Sequence, residues 1–175
     1  MSEPKNAFIN DKIFINEAKL SDLQTIQQIA EETWPVAYGN ILSAAQLRYM
    51  LDKMYSIASL EQQLQNGHHF LLASIKHVPA GFASYTFDPE IITLTKLQKL
   101  YVLPQQQGKN VGKNLLTEIV HRVKLREKQQ LNLNVNRANP AVNFYRKFGF
   151  EIVYSEDIAI GNGYFMNDYV MALKL

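Results

Sequence analysis

The stretch Leu97-Gln98-Lys99-Leu100-Tyr101-Val102-Leu103-Pro104-Gln105-Gln106-Gln107-Gly108-Lys109-Asn110-Val111-Gly112-Lys113-Asn114-Leu115-Leu116 decides how this chain folds. It reads as a strand, a proline stop, a polar loop carrying glycine, and the first turns of a long helix. Such a loop presents backbone N–H groups at a helix N-terminus, where hydrogen bonding and the helix dipole both favour an anion. Lys109 and Lys113 sit where positive charge opposes that dipole, a cost that a bound polyphosphate would reverse. The segment is therefore a candidate phosphate cradle, and by itself it leaves nucleotides, dinucleotides and coenzymes open. A nucleoside-triphosphate P-loop fits poorly, because Asn110 follows Gly108-Lys109 where a magnesium-binding hydroxyl is needed, and the earlier loop glycine is absent. The glycines also suit a tight turn and close helix packing, and the lysines a solvated face.

Downstream, Val111, Leu115, Leu116, Ile119, Val120 and Val123 mark a helix running to about Lys128, whose far end carries Arg122, Lys124, Arg126 and Lys128. Leu131 to Val135 alternates apolar residues with asparagine as a short strand. Asn139-Pro140 then opens a helix to Phe148 that Gly149 closes, and strands near Phe150 to Tyr154 and Tyr164 to Leu173 complete the chain. Upstream, Phe70 to Ile75, Gly81 to Phe87 and Ile91 to Leu103 read as three strands joined by hairpins, the first pair turning around His77 to Pro79. Before them come a strand over Lys12 to Ala18, a helix started by a Ser21/Gln24 capping box and stopped near Trp34-Pro35, and a turn at Tyr38-Gly39-Asn40. A helix follows from the Ser43/Gln46 capping box, then another from about Ser56 to Gln65 with Asn66-Gly67 as its C-cap. This order predicts a mixed α/β domain with α+β character: a central sheet of about seven strands, with helices on both faces. A doubly wound dinucleotide fold fits poorly, since its glycine loop follows the first strand of a repeating βαβ unit.

Composition narrows the function. The 175 residues, 47% apolar and 19% charged, suit one domain over 1–175, with polar residues 1–11 as a peripheral segment. A formal charge of +2 is too mild for a nucleic-acid binder, and a cluster aimed at one small anion accounts for it. There is no cysteine, so thiolate metal sites and disulfides are excluded. No stretch has the length of a membrane span and the N-terminus lacks a hydrophobic signal core, so a soluble, cytoplasmic protein is expected. His68 and His69 are adjacent on a strand, point to opposite faces and cannot share a metal.

Two separated segments resemble the GNAT N-acetyltransferase superfamily. Gln107, Asn110, Val111 and Gly112, after Leu100-Tyr101-Val102-Leu103-Pro104, match its acetyl-CoA loop, Gln/Arg-x-x-Gly-x-Gly/Ala. Asn110 stands where the family has glycine, and asparagine tolerates left-handed torsions better than most residues. Asn139-Pro140-Ala141-Val142-Asn143-Phe144-Tyr145-Arg146-Lys147-Phe148-Gly149-Phe150 looks like the family's Asn-x-x-Ala-x-x-Phe-Tyr-x-x-x-Gly-Phe signature. The resemblance implies the acyl-CoA N-acyltransferase fold and acetyl-CoA as cosubstrate, with its pyrophosphate over Gln107, Gly108, Lys109, Asn110, Val111, Gly112 and Lys113. Its pantetheine arm would run along Leu100, Tyr101 and Val102 and touch Asn139. Phe144 and Phe148 already supply the core face of that helix, so Tyr145 is expected to point elsewhere; the resemblance implies that it protonates the departing thiolate and that the Val102 N–H holds the thioester oxyanion. No metal is needed.

A general base is not evident, because Lys96-Leu97-Gln98-Lys99 and Asn132-Leu133-Asn134 lack the carboxylate that many relatives carry there. Water polarised by Asn134 or Tyr85, or a carboxylate from the first helix, Glu31 or Glu32, is expected instead. The acceptor wall is expected between Trp34 and Leu64, with Glu31, Trp34, Tyr38 and Tyr85 as substrate-binding candidates. From Glu17 to Glu32 four carboxylates against Lys19 give −3, which suits a cationic amine. The helix lengths, the Thr33 to Tyr38 turn and the Met166-Asn167-Asp168 ending are similar to bacterial spermidine/spermine acetyltransferases. A peptide N-terminal amine is the alternative acceptor, and a non-catalytic acyl-CoA sensor the alternative from another class. The family resemblance also implies a homodimer formed through late strands.

Overall fold

The computed structural model describes residues 12–175, so the expectation for 1–11 lies outside the described residues. Seven strands form one sheet in the order β1-β2-β3-β4-β5-β7-β6. They are β1 (Ile13–Glu17), β2 (His69–Ile75), β3 (Val78–Phe87), β4 (Leu94–Val102), β5 (Gln130–Asn136), β6 (Glu151–Gly161) and β7 (Tyr164–Lys174). Every neighbouring pair is antiparallel except β4 and β5, which are parallel and connected by a helix. The helices are α1 (Leu23–Tyr38), α2 (Ala44–Tyr55), α3 (Ile57–Gln65), α4 (Val111–Lys124) and α5 (Ala141–Phe148).

Two cores lie on the two faces of the sheet, as the order of elements predicts. On one face, Leu115, Leu116, Ile119 and Val123 of α4 pack with Leu71, Leu97 and Leu131. On the other, Leu23, Ile26, Ile29 and Trp34 of α1 pack with Leu60, Phe70 and Phe82. Each fully buried Leu or Ile is worth about 1.5–3 kcal/mol, so the period-3.6 pattern of α4 alone anchors it to the sheet.

Several boundaries depart from the sequence expectation for identifiable reasons. Helix α1 runs through Pro35 to Tyr38 instead of stopping there. Proline removes the donor to the Glu31 carbonyl, but that turn is exposed on its Glu31/Pro35 side and water can serve it, while buried Trp34 and Tyr38 hold the opposite side in the core. The start of α1 is a 3-10 turn over Leu20–Asp22, and the Lys19 N–H donates to Asp22 Oδ2 at 2.7 Å, so Asp22 displaces the expected Ser21/Gln24 box. The Ser43 box is present: Ser43 Oγ accepts from the Gln46 N–H at 3.1 Å. Helix α4 ends at Lys124, four residues early, and the side chains of Arg126 and Lys128 cross the Phe87 ring at 5.2 and 5.0 Å. Strand β6 continues to Gly161, because Gly161, Asn162 and Gly163 all adopt positive φ and make a tight hairpin into β7.

Strand β4 carries the irregularity that matters for function. Its pairing with β3 shifts between Ser84 and Tyr85, which face Lys99 and Leu97, so Gln98 is an extra residue in a β-bulge. Leu97, Leu100 and Val102 therefore all lie with the α4 core, while Tyr101 packs with the α1 core. Pairing of β4 with β5 stops at Leu97 and Leu133, and beyond that point the two strands part.

Candidate functional site

The gap between β4 and β5 opens a cleft of about 540 Å³ that runs from the strand ends to the N-terminus of α4. One wall is the backbone of β4 after the bulge. The Leu103 N–H donates to the Ala80 carbonyl at 2.9 Å, so alternation along the strand turns the N–H and C=O groups of Leu100 and Val102 away from β3 and toward the gap. The Val102 carbonyl accepts from Gln107 Nε2 at 3.4 Å, which ties the loop to this wall. Tyr101 lines the cleft too, but its carbonyl faces Gly81 of β3 and its ring lies 5.7 Å from Phe82 and 6.1 Å from Trp34, on the α1 core.

The floor is the loop and the first turn of α4. Gly108 has φ +77° and Asn110 has φ +64°, both left-handed, so asparagine adopts the conformation that glycine supplies in the family pattern. The Asn110 carbonyl accepts from the Asn114 N–H at 2.9 Å, starting the helix, and from Asn114 Nδ2 at 2.8 Å. A Cβ on Gly112 would sit 3.5 Å from Val102 Cγ2 and 3.7 Å from Phe144 Cζ, ordinary contact that alanine could make and a longer side chain would extend into the floor. Gln107, Val111 and Lys113 also line the cleft, whereas Lys109 lies outside the lining with its Nζ bound to Gln106 Oε1 at 2.9 Å. Backbone N–H groups, a helix N-terminus and one lysine facing a gap of this size form a cradle that fits a pyrophosphate.

The far wall is α5 and the turn before it. Asn139 is 9% exposed and its Oδ1 accepts from the Ala141 N–H at 2.9 Å, so it caps the helix while its side chain also meets the Tyr38 hydroxyl. Tyr145 lines the cleft and is 8% exposed, with its ring 5.3 Å from Phe144 and 5.6 Å from Phe150. This differs from the sequence expectation: Val142 and Tyr145 are the buried residues of α5, and Phe144 and Phe148 are only partly covered. Burial and the neighbouring Tyr38 raise the Tyr145 pKa, so the phenol holds its proton at neutral pH.

The four substrate-binding candidates separate. Tyr38 lines the cleft, its hydroxyl held by Tyr101 and Asn139, and burial raises its pKa. Trp34 is 1% exposed and sits in the α1 core, 4.7 Å from the Tyr38 ring, where it positions that tyrosine. Glu31 is exposed on α1 outside the lining. Tyr85 faces the α4 side, stacked 5.0 Å from His69 and beside Arg122, away from the cleft. His68 and His69 do lie on opposite faces: Lys99 presses on His68, and His69 Nδ1 pairs with Glu17 at 3.3 Å.

The positions on β4 and β5 hold no carboxylate and Glu32, like Glu31, is exposed outside the lining, but β7 carries a buried one. Asp168 pairs in register with Asn136 of β5 and Glu156 of β6, is 6% exposed, and its Oδ1 is buried without a hydrogen-bond partner. Burial pushes its pKa up to about 6, and the negative Glu156 adds to the rise. The sequence signal for it was an acid at the inward-facing step between Met166 and Val170.

A family model for the acetyltransferase (GNAT) domain matches residues 40–173. Spermidine N(1)-acetyltransferase of Thermoplasma acidophilum is 27% identical over 146 residues, covering 80% of this chain and 89% of that protein. The crystal structure of PaiA N-acetyltransferase from Thermoplasma acidophilum, in complex with coenzyme A, superposes with a TM-score of 0.79 at 26% identity, covering 94% of this chain and 99% of the other. The ribosomal-protein-S18-alanine N-acetyltransferase of Escherichia coli shares the fold, with a TM-score of 0.71 at 17% identity and coverage of 93% and 94%. With a split sheet, a helix N-terminus facing the split and the family model spanning both, this chain belongs to the GNAT acetyltransferase family.

Proposed function

We propose that this protein moves the acetyl group of acetyl-CoA to a primary amine by direct attack, and that the amine is a polyamine. The observation that carries the reading is the parting of β4 from β5 directly in front of the α4 N-terminus, with Tyr145 on the opposite wall. Bound there, acetyl-CoA supplies an activated acetyl thioester. Gln107, Gly108, Asn110, Val111, Gly112 and Lys113 would receive its pyrophosphate, and Leu100, Tyr101 and Asn139 its pantetheine arm. Lys109 would add long-range positive charge from outside the lining.

The Val102 N–H points into the gap, where it would donate to the thioester oxygen as negative charge develops. The Tyr145 hydroxyl, kept protonated by burial, would give its proton to the leaving sulfur. Tyr38 would shape the acceptor's approach from the α1 side. A cationic acceptor is supported by the carboxylates of Asp168 and Glu156 beside Asn134 at the edge of the cleft, and by the resemblance to a spermidine acetyltransferase; the acids between Glu17 and Glu32, engaged or exposed outside the lining, add no support. Work in the cytoplasm accords with the described residues, in which no helix is long and apolar enough to cross a membrane. A homodimer through β6, an edge strand with Val153 and Tyr154 exposed, accords with the same family.

The test is thiol release from acetyl-CoA against a panel of polyamines, amino acids and peptides with a free N-terminus, with Tyr145→Phe alongside. Polyamines should give the highest kcat/KM, and Tyr145→Phe should lower kcat about 100-fold while acetyl-CoA affinity stays unchanged. Faster turnover of peptides would replace the polyamine. Tight acetyl-CoA binding with no acceptor accelerating release would make the protein a sensor of acyl-CoA and refute the transfer reading.

A further inference from the structure

Acetyl transfer needs somewhere for the acceptor's proton to go, and of the expected positions those on β4 and β5 carry no carboxylate while Glu31 and Glu32 of α1 are exposed and outside the cleft lining. Asp168 stands one residue in register from the β5 segment that forms the cleft wall: it pairs with Asn136, two positions along from Asn134, which lines the cleft. Asn134, Asn136, Glu156 and Asp168 all point from the sheet toward the α1 side, where Tyr38 lies near enough to Asp168 to feel its charge. Asn134 Nδ2 donates to Glu156 Oε1 at 2.6 Å and also reaches Asp168. Lys96 on β4 and Arg137 after β5 supply the nearby positive charge, and Arg137 is already engaged with Asp157. Asp168 Oδ1 is thus a buried acceptor without a protein donor, outside the lining itself but next to Asn134 and Tyr38, which line the cleft. A buried oxygen of that kind costs stability, and it persists here beside a site that must receive a proton.

We propose that Asp168 accepts the proton lost by the acceptor nitrogen during acetyl transfer, an inference that rests on the transfer reading above. The neutral amine's lone pair forms the N–C bond to the acetyl carbon, and that nitrogen becomes acidic as the bond forms. Asp168 takes its proton, the C–S bond breaks with its electron pair going to sulfur, and the sulfur takes the Tyr145 proton. Asp168 then releases its proton to solvent and the Tyr145 phenolate takes one back, so amine and thioester yield amide and thiol with no net proton change. Glu156 is a positioning residue: its charge keeps Asp168 basic, and its hydrogen bond holds Asn134.

The experiment is the pH profile of kcat/KM with acetyl-CoA and spermidine for the wild type, Asp168→Asn and Glu156→Gln, together with calorimetric acetyl-CoA affinity. The wild type should show an acidic limb near 6, the value to which burial and Glu156 raise the Asp168 carboxyl. Asp168→Asn should lose that limb and about 100-fold in kcat, with acetyl-CoA affinity unchanged. Glu156→Gln, which removes the neighbouring negative charge, should move the limb to lower pH. A limb that survives in Asp168→Asn, or one that Glu156→Gln leaves in place, overturns the proposal. Absence of turnover in the wild type with every amine overturns the transfer reading instead, and this one with it.

Discussion

Replacing Lys99 with methionine should make this protein more stable at neutral pH, and the gain should shrink as the solution becomes alkaline. Lys99 is 5% exposed and faces the α1–α3 core after the β4 bulge. Its Nζ donates to Gln63 Oε1 at 2.6 Å and lies 5.5 Å over the Tyr55 ring and 5.9 Å over the Phe70 ring. Those partners are neutral, so burial lowers the ammonium's pKa from 10.5 to about 8. The folded value lies below the unfolded one. The cost of holding the charge is therefore fully present below pH 8 and is relieved as pH rises from 8 toward 10.5. Each pKa unit corresponds to about 1.4 kcal/mol, which makes that cost about 3 kcal/mol. Methionine removes it and fills similar volume, while Gln63 Oε1, left without its donor, returns about 1–2 kcal/mol of it. The net gain is then about 1–2 kcal/mol, or several degrees in Tm for a chain of this length. Urea denaturation of both proteins at a series of pH values across that window measures the difference directly, and taking the difference cancels the buried tyrosines that also titrate there. A methionine variant less stable than the wild type at neutral pH, or a gap that does not change with pH, would refute the reasoning.

Substitutions at two further positions test the cleft's construction. Asn110→Gly should keep coenzyme A affinity by calorimetry, because the left-handed torsion at φ +64° suits glycine, whereas Asn110→Val should lose about 1–2 kcal/mol of stability and weaken binding with it; equal behaviour of the two would show that the loop torsion carries nothing. Gly81→Ala should destabilise by about 1–3 kcal/mol in chemical denaturation, since a Cβ would meet the Tyr101 carbonyl oxygen at 2.6 Å and Val102 Cα at 3.1 Å, both main chain on the cleft wall. An unchanged denaturation midpoint would mean that β3 and β4 yield without cost.

The elements legible in the sequence are those whose local signals and packing agree. The apolar period of α4 and the Asn139-Pro140 helix start appear where patterning put them, the hairpins of β2, β3 and β4 appear with β3 starting three residues early at Val78 and β4 three residues late at Leu94, and Asn110, Asn139 and Tyr145 come together although 35 residues separate the first from the last. What local chemistry could not supply was tertiary. Pro35 argues for a helix end, but the burial of Trp34 and Tyr38 outweighs one missing hydrogen bond on a wet face. Tyr85 was a candidate for polarising water and for binding the acceptor, yet on β3 it falls on the α4 side. Asp168 is separated from the motif residues in the chain and reaches the site only because β7 inserts beside β5.

The same tertiary logic explains why there is a cleft at all. A regular strand sends residues two apart to one face, so Leu97 and Leu100 could not both meet the α4 core if β4 had period two throughout. They do both meet it, which requires one extra residue between them, and Gln98 is that residue. A bulge bends and over-twists its strand. Antiparallel β3 follows β4 through the shift as far as Val102, but parallel β5 cannot, and its pairing ends at Leu97, immediately before the bulge. The exposed main chain of Leu100 and Val102, the cavity in front of α4 and the inward turn of Lys99 are therefore consequences of a single inserted residue. Its sequence mark is the apolar spacing of three, Leu97 to Leu100, inside a strand.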